Sequence, residues 1–433
     1  MSFTFVDLFA GIGGFHAALS SFGGKCVFAS DIDDRARSVY ERNWGAEIKP
    51  YRGKRLLVGD IADFTEPEVR VPKHDVLAAG FPCQPFSKSG RQLGMDEARG
   101  TLFWHIARII EARKPSMVLL ENVRNIAGPR HTHEWAVIIN TLRELGYRVS
   151  DRPAVFSPHL LAPEQGGTPQ VRERVFITAT FVGRERALDE VDIEPPVENR
   201  PVAGWNKDDW NLEKHLLLPE GPLTAPYRLN QDETRIIEVW NDFVERLLEA
   251  REGTRLPGFP LWADEFRPEP RLTRDTPGWK ADFLKKNSDF YMNHREVVDA
   301  WLHDHNHLAD LPPSRRKLEW QARDAASLWD TVMHFRPSGI RAKLPTYVPA
   351  LVAITQTSII GPRRRRLTPR EAARLQGFAD TFGFGDQRDA DTYRQLGNAV
   401  CVGAVQHVFR EHVKQNRLDL PPRIRDAASR GTP

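Results

Sequence analysis

Over the first 183 residues, short apolar runs alternate with amphipathic segments. The apolar runs at 3–8 (FTFVDL), 26–30 (CVFAS), 56–58, 75–79 and 117–120 predict strands, and 174–182 (RVFITATFV), β-branched and aromatic, predicts a late one. Segments 14–22, 34–43, 101–113 and 133–145 predict helices between or after them. Strands that are apolar throughout are buried on both faces. The alternation therefore predicts an α/β fold, with a mostly parallel sheet covered by helices on each side.

The pattern changes after residue 183. Eight of the 11 tryptophans lie between Trp205 and Trp329, and proline-rich stretches appear at 195–201 and 267–270. Segment 232–250 repeats apolar residues at helical spacing, among them Ile237, Trp240, Val244 and Leu247, as a stripe that packs on a core. Near the end, 351–360 is apolar again, and Gly361-Pro362 followed by the arginines 363–366 marks a turn with a basic cluster. Thr368-Pro369-Arg370-Glu371 predicts a helix start, with a Thr cap, Pro first and Glu third. Segment 390–413 predicts a helix beginning near Asn398. The chain thus divides into 1–183, a second domain of different texture at 184–345, and a C-terminal segment 346–433 in which the α/β texture returns.

A length of 433 residues leaves room for two or three domains. The balance of 61 basic against 58 acidic residues, a net +3, excludes a wholly cationic coating protein but leaves a local basic groove open. Three cysteines, Cys26, Cys83 and Cys401, exclude a disulfide-built scaffold and a four-cysteine zinc site, and no metal is expected. No basic stretch precedes an apolar run at the start, and no run of about 18 apolar residues occurs, so the expectation is a cytoplasmic protein without a membrane span.

Four places join chemistry-bearing residues to the end of an element. The first strand runs into Ala10-Gly11-Ile12-Gly13-Gly14 and then a helix. Glycines there let the chain turn sharply or let a ligand approach the backbone. Asp31 follows the second strand, 20 positions after Gly11, where an α/β nucleotide site grips ribose hydroxyls. Asp7, an acid at the strand end, suits a cationic ligand better than a pyrophosphate and so disfavours NAD. Next, Gly80-Phe81-Pro82-Cys83-Gln84-Pro85-Phe86-Ser87 follows an apolar run. A cysteine between prolines at a strand's C-terminal end lies in the crevice where α/β ligands bind. It is either a thiolate nucleophile or an inert small hydrophobe. Glu121 ends another buried run, where desolvation raises its pKa and lets it donate a proton near neutral pH, unless it merely caps or pairs. Arg172 and Arg174, two apart on extended chain, share a face. They can hold a phosphate or a base carbonyl, or form a solvated charge run.

Taken in order, DLFAGIGGF, FASDID, GDI, GFPCQPFS, ENV, QVRERVF, RRLTPREAARLQGF and QLGNAV resemble the cytosine-5 DNA methyltransferase family of bacterial modification enzymes. The match covers 3–183 and 361–413, and 184–360 corresponds to the family's variable target-recognition region. The resemblance implies a Rossmann-like, S-adenosylmethionine-dependent methyltransferase core with a separate smaller target-recognition domain. Phe9 would lie against the adenine, with Gly11 and Gly13 beside the methionine moiety and Asp31 on the ribose. Asp60 would take the adenine amino group, Ile32 and Pro82 would pack on the ring with Ile61 beside them, and Asn398 would help close the donor site. Cys83 would be the catalytic thiolate, Glu121 the proton partner of the base, and Arg172 and Arg174 its electrostatic support. Gln84, Ser87 and Arg99 would touch the DNA near the target, and the loop 86–100 would close over the extruded base.

In the variable region, FRPSGIRAK offers Arg336, Ser338, Arg341 and Lys343 as candidates for the major groove, as does the cluster 363–366. For each of them phosphate contact or plain solvation competes with base readout. The resemblance further implies duplex DNA as substrate, a monomer on bacterial chromosomal DNA, and a cognate restriction endonuclease acting on the same site. Two rivals share the fold. A tRNA cytosine-5 methyltransferase is disfavoured by the size of 184–360, and a non-catalytic DNA-binding regulator by the intact Cys83, Glu121 and donor-site glycines.

Overall fold

The apolar runs of the first part of the chain pair side by side. They form β1 (Thr4–Leu8), β2 (Lys25–Ser30), β3 (Leu57–Val58), β4 (Val76–Gly80) and β5 (Met117–Val123), followed by β6 (Tyr147–Val149), β7 (Ala154–Phe156) and β9 (Arg174–Phe181), while the short β8 (Gln170–Val171) lies outside this sheet. The computed structural model describes residues 2–47, 57–82, 98, 101–352 and 357–429. Strands β1 to β5 lie parallel in the order β3-β2-β1-β4-β5. β9 joins β5 antiparallel and carries β6 and β7 antiparallel in turn. One face of the sheet presents Val6, Leu8, Leu77, Ala79, Val118 and Leu120 to the helices Leu102–Arg113 and Thr132–Glu144. On the alternate positions Phe3 stacks on Phe409 of the helix Val402–Gln415 at 5.7 Å, and α1 (Gly14–Ser20) packs on that same helix. The period of two along the central strands β1, β4 and β5 thus gives each two buried faces.

Local signals set the helix ends. Asp33 accepts from the backbone N–H groups of Arg35 and Ala36 and starts α2 (Asp34–Trp44). Thr101 does the same for the helix Leu102–Arg113 through Trp104. The helix expected to begin near Asn398 instead ends there. Asp389–Asn398 is one helix, Ala399 is extended (φ −67°, ψ 147°), and Val402–Gln415 is the next. The break is stabilised by partners for the orphan carbonyls of the helix end, described below.

The chain groups into two compact units. One comprises Met1–Trp210, Pro349–Thr355 and Ala372–Pro433, and the other Asn211–Val348 and Gln356–Glu371. Residues 184–210 therefore group with the first unit, whereas the shift in composition suggested a boundary at 183. Packing explains the difference. The indole N–H groups of Trp205 and Trp210 both donate to the carbonyl of His159, at 3.1 and 2.8 Å, and Val197 and Trp210 are buried.

The second unit has its own core. The helix Gln231–Ala250 starts at an Asn230–Glu233 capping box and inserts Trp240 against Trp301, with ring centroids 5.2 Å apart. Its sheet contains β10 (Leu261–Trp262), β11 (Lys317–Gln321), β12 (Val332–Arg336) and β13 (Gly339–Lys343) in the order β10-β11-β13-β12, continued by Ile359–Ile360 and Arg365–Arg366. The basic cluster 363–366 is built into this unit. Arg365 is fully buried between Glu371 and Glu220, Arg363 pairs with Glu213, Arg366 pairs with Glu233, and Arg364 lies over the Trp329 ring. Within the cluster each arginine has only arginines, proline or leucine beside it in sequence, but the fold brings carboxylates from elsewhere to neutralise it. The predicted cap at Thr368 forms, with Thr368 N–H donating to Glu371 Oε2 and Glu371 N–H to Thr368 Oγ1. Among the described residues no helix is long and apolar enough to cross a membrane.

Candidate active site

Parallel pairing gathers the candidate residues at one edge. The registers Leu8↔Ser30, Leu8↔Ala79, Ser30↔Val58 and Gly80↔Glu121 align the C-terminal ends of β1 to β5. Phe9, Asp31-Ile32, Asp60, Phe81-Pro82 and Glu121 therefore all emerge on the side where open α/β sheets bind ligands.

The loop after β1 is tightly held. Phe9 and Gly11 both have positive φ (55° each), and Gly13 sits at φ 91°. A β-carbon on Gly13 would lie 2.3 Å from Trp44 Nε1, and one on Gly14 would lie 2.7 Å from the Val400 carbonyl oxygen. The loop is thus pressed between α2 and the C-terminal segment, and only glycine fits. Asp31 ties it to β2. Its Oδ2 accepts from Gly11 N–H at 2.7 Å and its Oδ1 from Asp33 N–H at 2.8 Å. Burial raises the Asp31 pKa, opposed by those two hydrogen bonds. An ionised carboxylate has about four acceptor positions, so two remain for other donors. Beneath the loop Asp7 is fully buried, and burial holds its carboxyl well above the ordinary range. Neither of its oxygens has a hydrogen-bond partner of good geometry among the described residues.

The other candidates for a nucleotide-like ligand divide. Ile32 is 75% exposed, an apolar side chain left open at the edge. Pro82 and Asp60 are exposed, and Asp60 also caps the turn that follows through Ala62 N–H. Ile61, by contrast, is 3% exposed and belongs to the core with Val6, Leu8 and Phe28, so its side chain is a packing group. Asn398 is exposed, while its neighbours Gly397 and Ala399 are buried.

Glu121 is the buried acid of the edge. Burial raises its pKa, and Arg174 and then Arg172 act against that rise. Arg174 Nε lies 3.0 Å from Glu121 Oε1. A β-carbon on Gly80 would lie 3.5 Å from Glu121 Oε2, so the glycine leaves that oxygen uncrowded. The adjacent Asn122 donates from Nδ2 to the Phe81 carbonyl at 2.8 Å and so holds the chain just before Pro82. Cys83, Gln84, Ser87, Arg99 and the loop 86–100, except for Ala98, lie outside the described residues.

The two arginines expected to act together do different work. Arg172, 2% exposed, donates to the carbonyls of Leu351, Gly397 and Ala399 at 2.7, 2.8 and 2.8 Å. Gln376 takes the Leu396 carbonyl at 2.7 Å. The carbonyls of Leu396, Gly397 and Ala399 are the orphan acceptors at the end of the helix Asp389–Asn398, so Arg172 is a helix cap that grips the backbone on both sides of Asn398. Burial lowers its own pKa to about 9, with the Arg174 charge acting in the same direction. Its charge still reaches Glu121, but its hydrogen bonds do not. Thr168 and Gln170 extend the seam, each donating to the Leu375 carbonyl at 2.8 and 3.0 Å. Sequence reasoning missed Asn122, Thr168 and Gln170 as supporting residues. The alternation Thr168-Gln170-Arg172, with all three buried, was the available signal.

The family model for C-5 cytosine-specific DNA methylases matches residues 3–414. Type II methyltransferase M.AluI of Cellulosimicrobium cellulans is 49% identical over 97% of this chain and 94% of its own length. Type II methyltransferase M.HpaII of Haemophilus parainfluenzae is 42% identical over 93% of this chain and 87% of its own. Among solved structures, the S. pombe Dnmt2 methyltransferase aligns with 95% of this chain and 99% of its own at 15% identity, with a TM-score of 0.46.

Proposed function

The chain belongs to the C-5 cytosine-specific DNA methylase family and is a sequence-specific DNA (cytosine-5-)-methyltransferase, and on that premise we propose that Cys83 is its nucleophile and Glu121 the acid that activates the target base. Carbon 5 of cytosine is a poor methyl acceptor because the ring is electron-poor. Addition of Cys83 Sγ to carbon 6 moves electron density onto carbon 5, and a hydrogen bond from protonated Glu121 to ring nitrogen 3 stabilises the adduct. S-adenosylmethionine, the donor in this reading, supplies an electrophilic methyl group on a sulfonium centre. After transfer a base removes the hydrogen on carbon 5, and Sγ leaves carbon 6 as the ring double bond re-forms. Arg174 holds Glu121 in place. The target carbon is inaccessible inside a duplex, so the nucleotide is turned out of the stack at about a few kcal/mol, which contacts to DNA must offset. Closure of 86–100 over that base belongs to the same proposal, with Gln84, Ser87 and Arg99 on the DNA.

The carrying observation is the register of Glu121 with Gly80. Cys83 follows Gly80 by three residues, at most about 11 Å of chain, so the chain length allows a thiol there to reach the same edge as the acid, which supports the pairing. The fit to the donor has three supports. The glycine loop admits no side chain at Gly13 or Gly14, Asp31 retains acceptor capacity for two ribose hydroxyls, and the exposed Ile32 and Pro82 offer an apolar bed for an adenine. Phe9, Gly11 and Gly13 would border the methionine part, Asp60 the adenine amino group, and Asn398 the closing side. In this reading the protein works as a monomer in the bacterial cytoplasm and protects chromosomal DNA from an endonuclease of the same specificity.

Incubation with labelled donor and either duplex DNA or tRNA tests the reading, with label expected in DNA. Cys83→Ala should bind DNA and transfer nothing, and duplex carrying 5-fluorocytosine should trap a covalent complex with the unaltered enzyme. Normal turnover by Cys83→Ala would remove the role given to that thiol.

A further inference from the structure

The outer face of the second unit's sheet holds a carboxylate between two guanidinium groups. In the registers Glu319↔Arg341 and His334↔Arg341, these three residues form one row across β11, β13 and β12, and Arg336 lies two positions along from His334 on the same face. The intervening residues Leu318, Trp320, Phe335, Ile340 and Ala342 point into the core, so the row faces outward. Glu319 Oε1 accepts from Arg341 Nη2 at 2.9 Å, and Oε2 accepts from Arg336 Nη2. Gln321 on the same strand also donates to Oε1. Glu319 is the one acid in β11, β12 and β13.

We propose that Glu319 is a positioning residue that orients Arg336 and Arg341 to read guanines in the major groove of the target duplex, an inference that rests on the reading of the chain as a DNA methyltransferase. Each guanidinium has five N–H donors, of which Glu319 engages one from each. The Nε–H groups of Arg336 and Arg341 are buried and have no partner among the described residues. Those Nε–H groups face inward, and the side chains are part-exposed, which leaves the guanidinium donors not engaged by Glu319 for an incoming acceptor. Guanine offers the matching acceptor pair, O6 and N7, to a guanidinium fork. Phosphate is the poorer match, because the intervening carboxylate cancels part of the long-range attraction and leaves directional donors in place. Holding both arginines before DNA arrives also reduces the rotamer entropy lost on binding. His334 contributes no charge at neutral pH. Burial, helped by the nearby arginines, lowers its pKa to about 4, and its Nδ1 is 3.2 Å from Ser358 Oγ.

The test uses the unaltered enzyme first, on the site located by bisulfite sequencing of DNA from expressing cells. Methylation of the plain duplex tests the parent reading separately. Guanines of the site are then replaced one at a time by 7-deazaguanine, which pairs normally but lacks the N7 acceptor. Loss of kcat/KM by about 10- to 100-fold is expected at two guanines. Arg336→Gln and Arg341→Gln should each remove the sensitivity to one of those substitutions and leave the salt slope of DNA binding unchanged. Glu319→Gln should lower discrimination at both positions by about 10-fold, read as a rise in KM on the true site relative to single-substituted sites. The proposal is overturned if no 7-deazaguanine substitution alters the unaltered enzyme by more than about 2-fold. It is equally overturned if each arginine variant lowers the salt slope by about one without changing discrimination, since that is the signature of phosphate contact. The 7-deazaguanine measurement needs no variant, so misfolding of one leaves the proposal testable.

Discussion

Glu121 and Glu319 are both held by arginines, and their surroundings differ. Glu121 lies at the end of a strand buried on both faces, where burial pushes its pKa up and Arg174 and Arg172 push it back. Glu319 lies mid-strand on a sheet face open to one side, engaged by two guanidinium groups that are themselves part-exposed. In the proposed reaction the useful variable at the first site is a proton, and in the proposed readout the variable at the second is the direction in which donors point. On these two proposals the same ion-pair chemistry would give an acid in one setting and a jig for arginines in the other, with burial deciding which.

Removing the acidic proton while keeping the shape separates the two most sharply. Glu121→Gln should lower the single-turnover rate of methyl transfer by about 10²- to 10⁴-fold, the usual range for a general acid, with DNA affinity retained. Glu319→Gln should act on KM and site selectivity. A comparable collapse of the chemical step in Glu319→Gln would erase the distinction.

The next largest effect concerns the two arginines that sequence placed together. Arg172→Met leaves the carbonyls of Leu351, Gly397 and Ala399 without their donor in a buried setting, which should cost about 2–5 kcal/mol. Amide exchange at Ala399, whose N–H bonds the Gln395 carbonyl, should accelerate, and the thermal midpoint should fall. Arg174→Met should disturb stability far less and chemistry far more. If the two variants are equally unstable, Arg172 is not the cap described here.

What was legible in the sequence follows the same division. Strand ends, glycine turns and caps depend on neighbours in the chain, and β1, β2, β4 and β5, the Gly11–Gly14 turn and the Thr368 cap all form close to where local pattern placed them. Glu121 was legible because one buried run, 117–120, leads straight into it. Features set by contacts across the chain were not. Arg172 reads like Arg174 until the fold delivers Gly397 and Ala399, 225 and 227 residues away. The arginines 363–366 read as a basic cluster until Glu213, Glu220 and Glu233 arrive. Trp205 and Trp210 read as part of a tryptophan-rich domain until His159 accepts from both. Glu319 carries no local signal at all, because its partners depend on a parallel register between β11 and β13.

The smallest effect is a shift in pH dependence, and its sign distinguishes an acid from a passive ion pair. In the proposed reaction Glu121 must carry a proton, so activity falls as pH rises through its pKa. That pKa is already raised by burial, and Arg174 is the largest influence holding it down. Arg174→Met removes the opposing charge, so the pKa should rise further and the alkaline limb of the kcat profile should move to higher pH. The acidic limb, which the Cys83 thiolate would set, should stay where it is. Glu319→Gln and Arg341→Gln should move neither limb, because no proton at that row takes part in the chemistry. An alkaline limb that moves down in Arg174→Met would mean that Glu121 works as an ionised group, and the first site would then resemble the second after all.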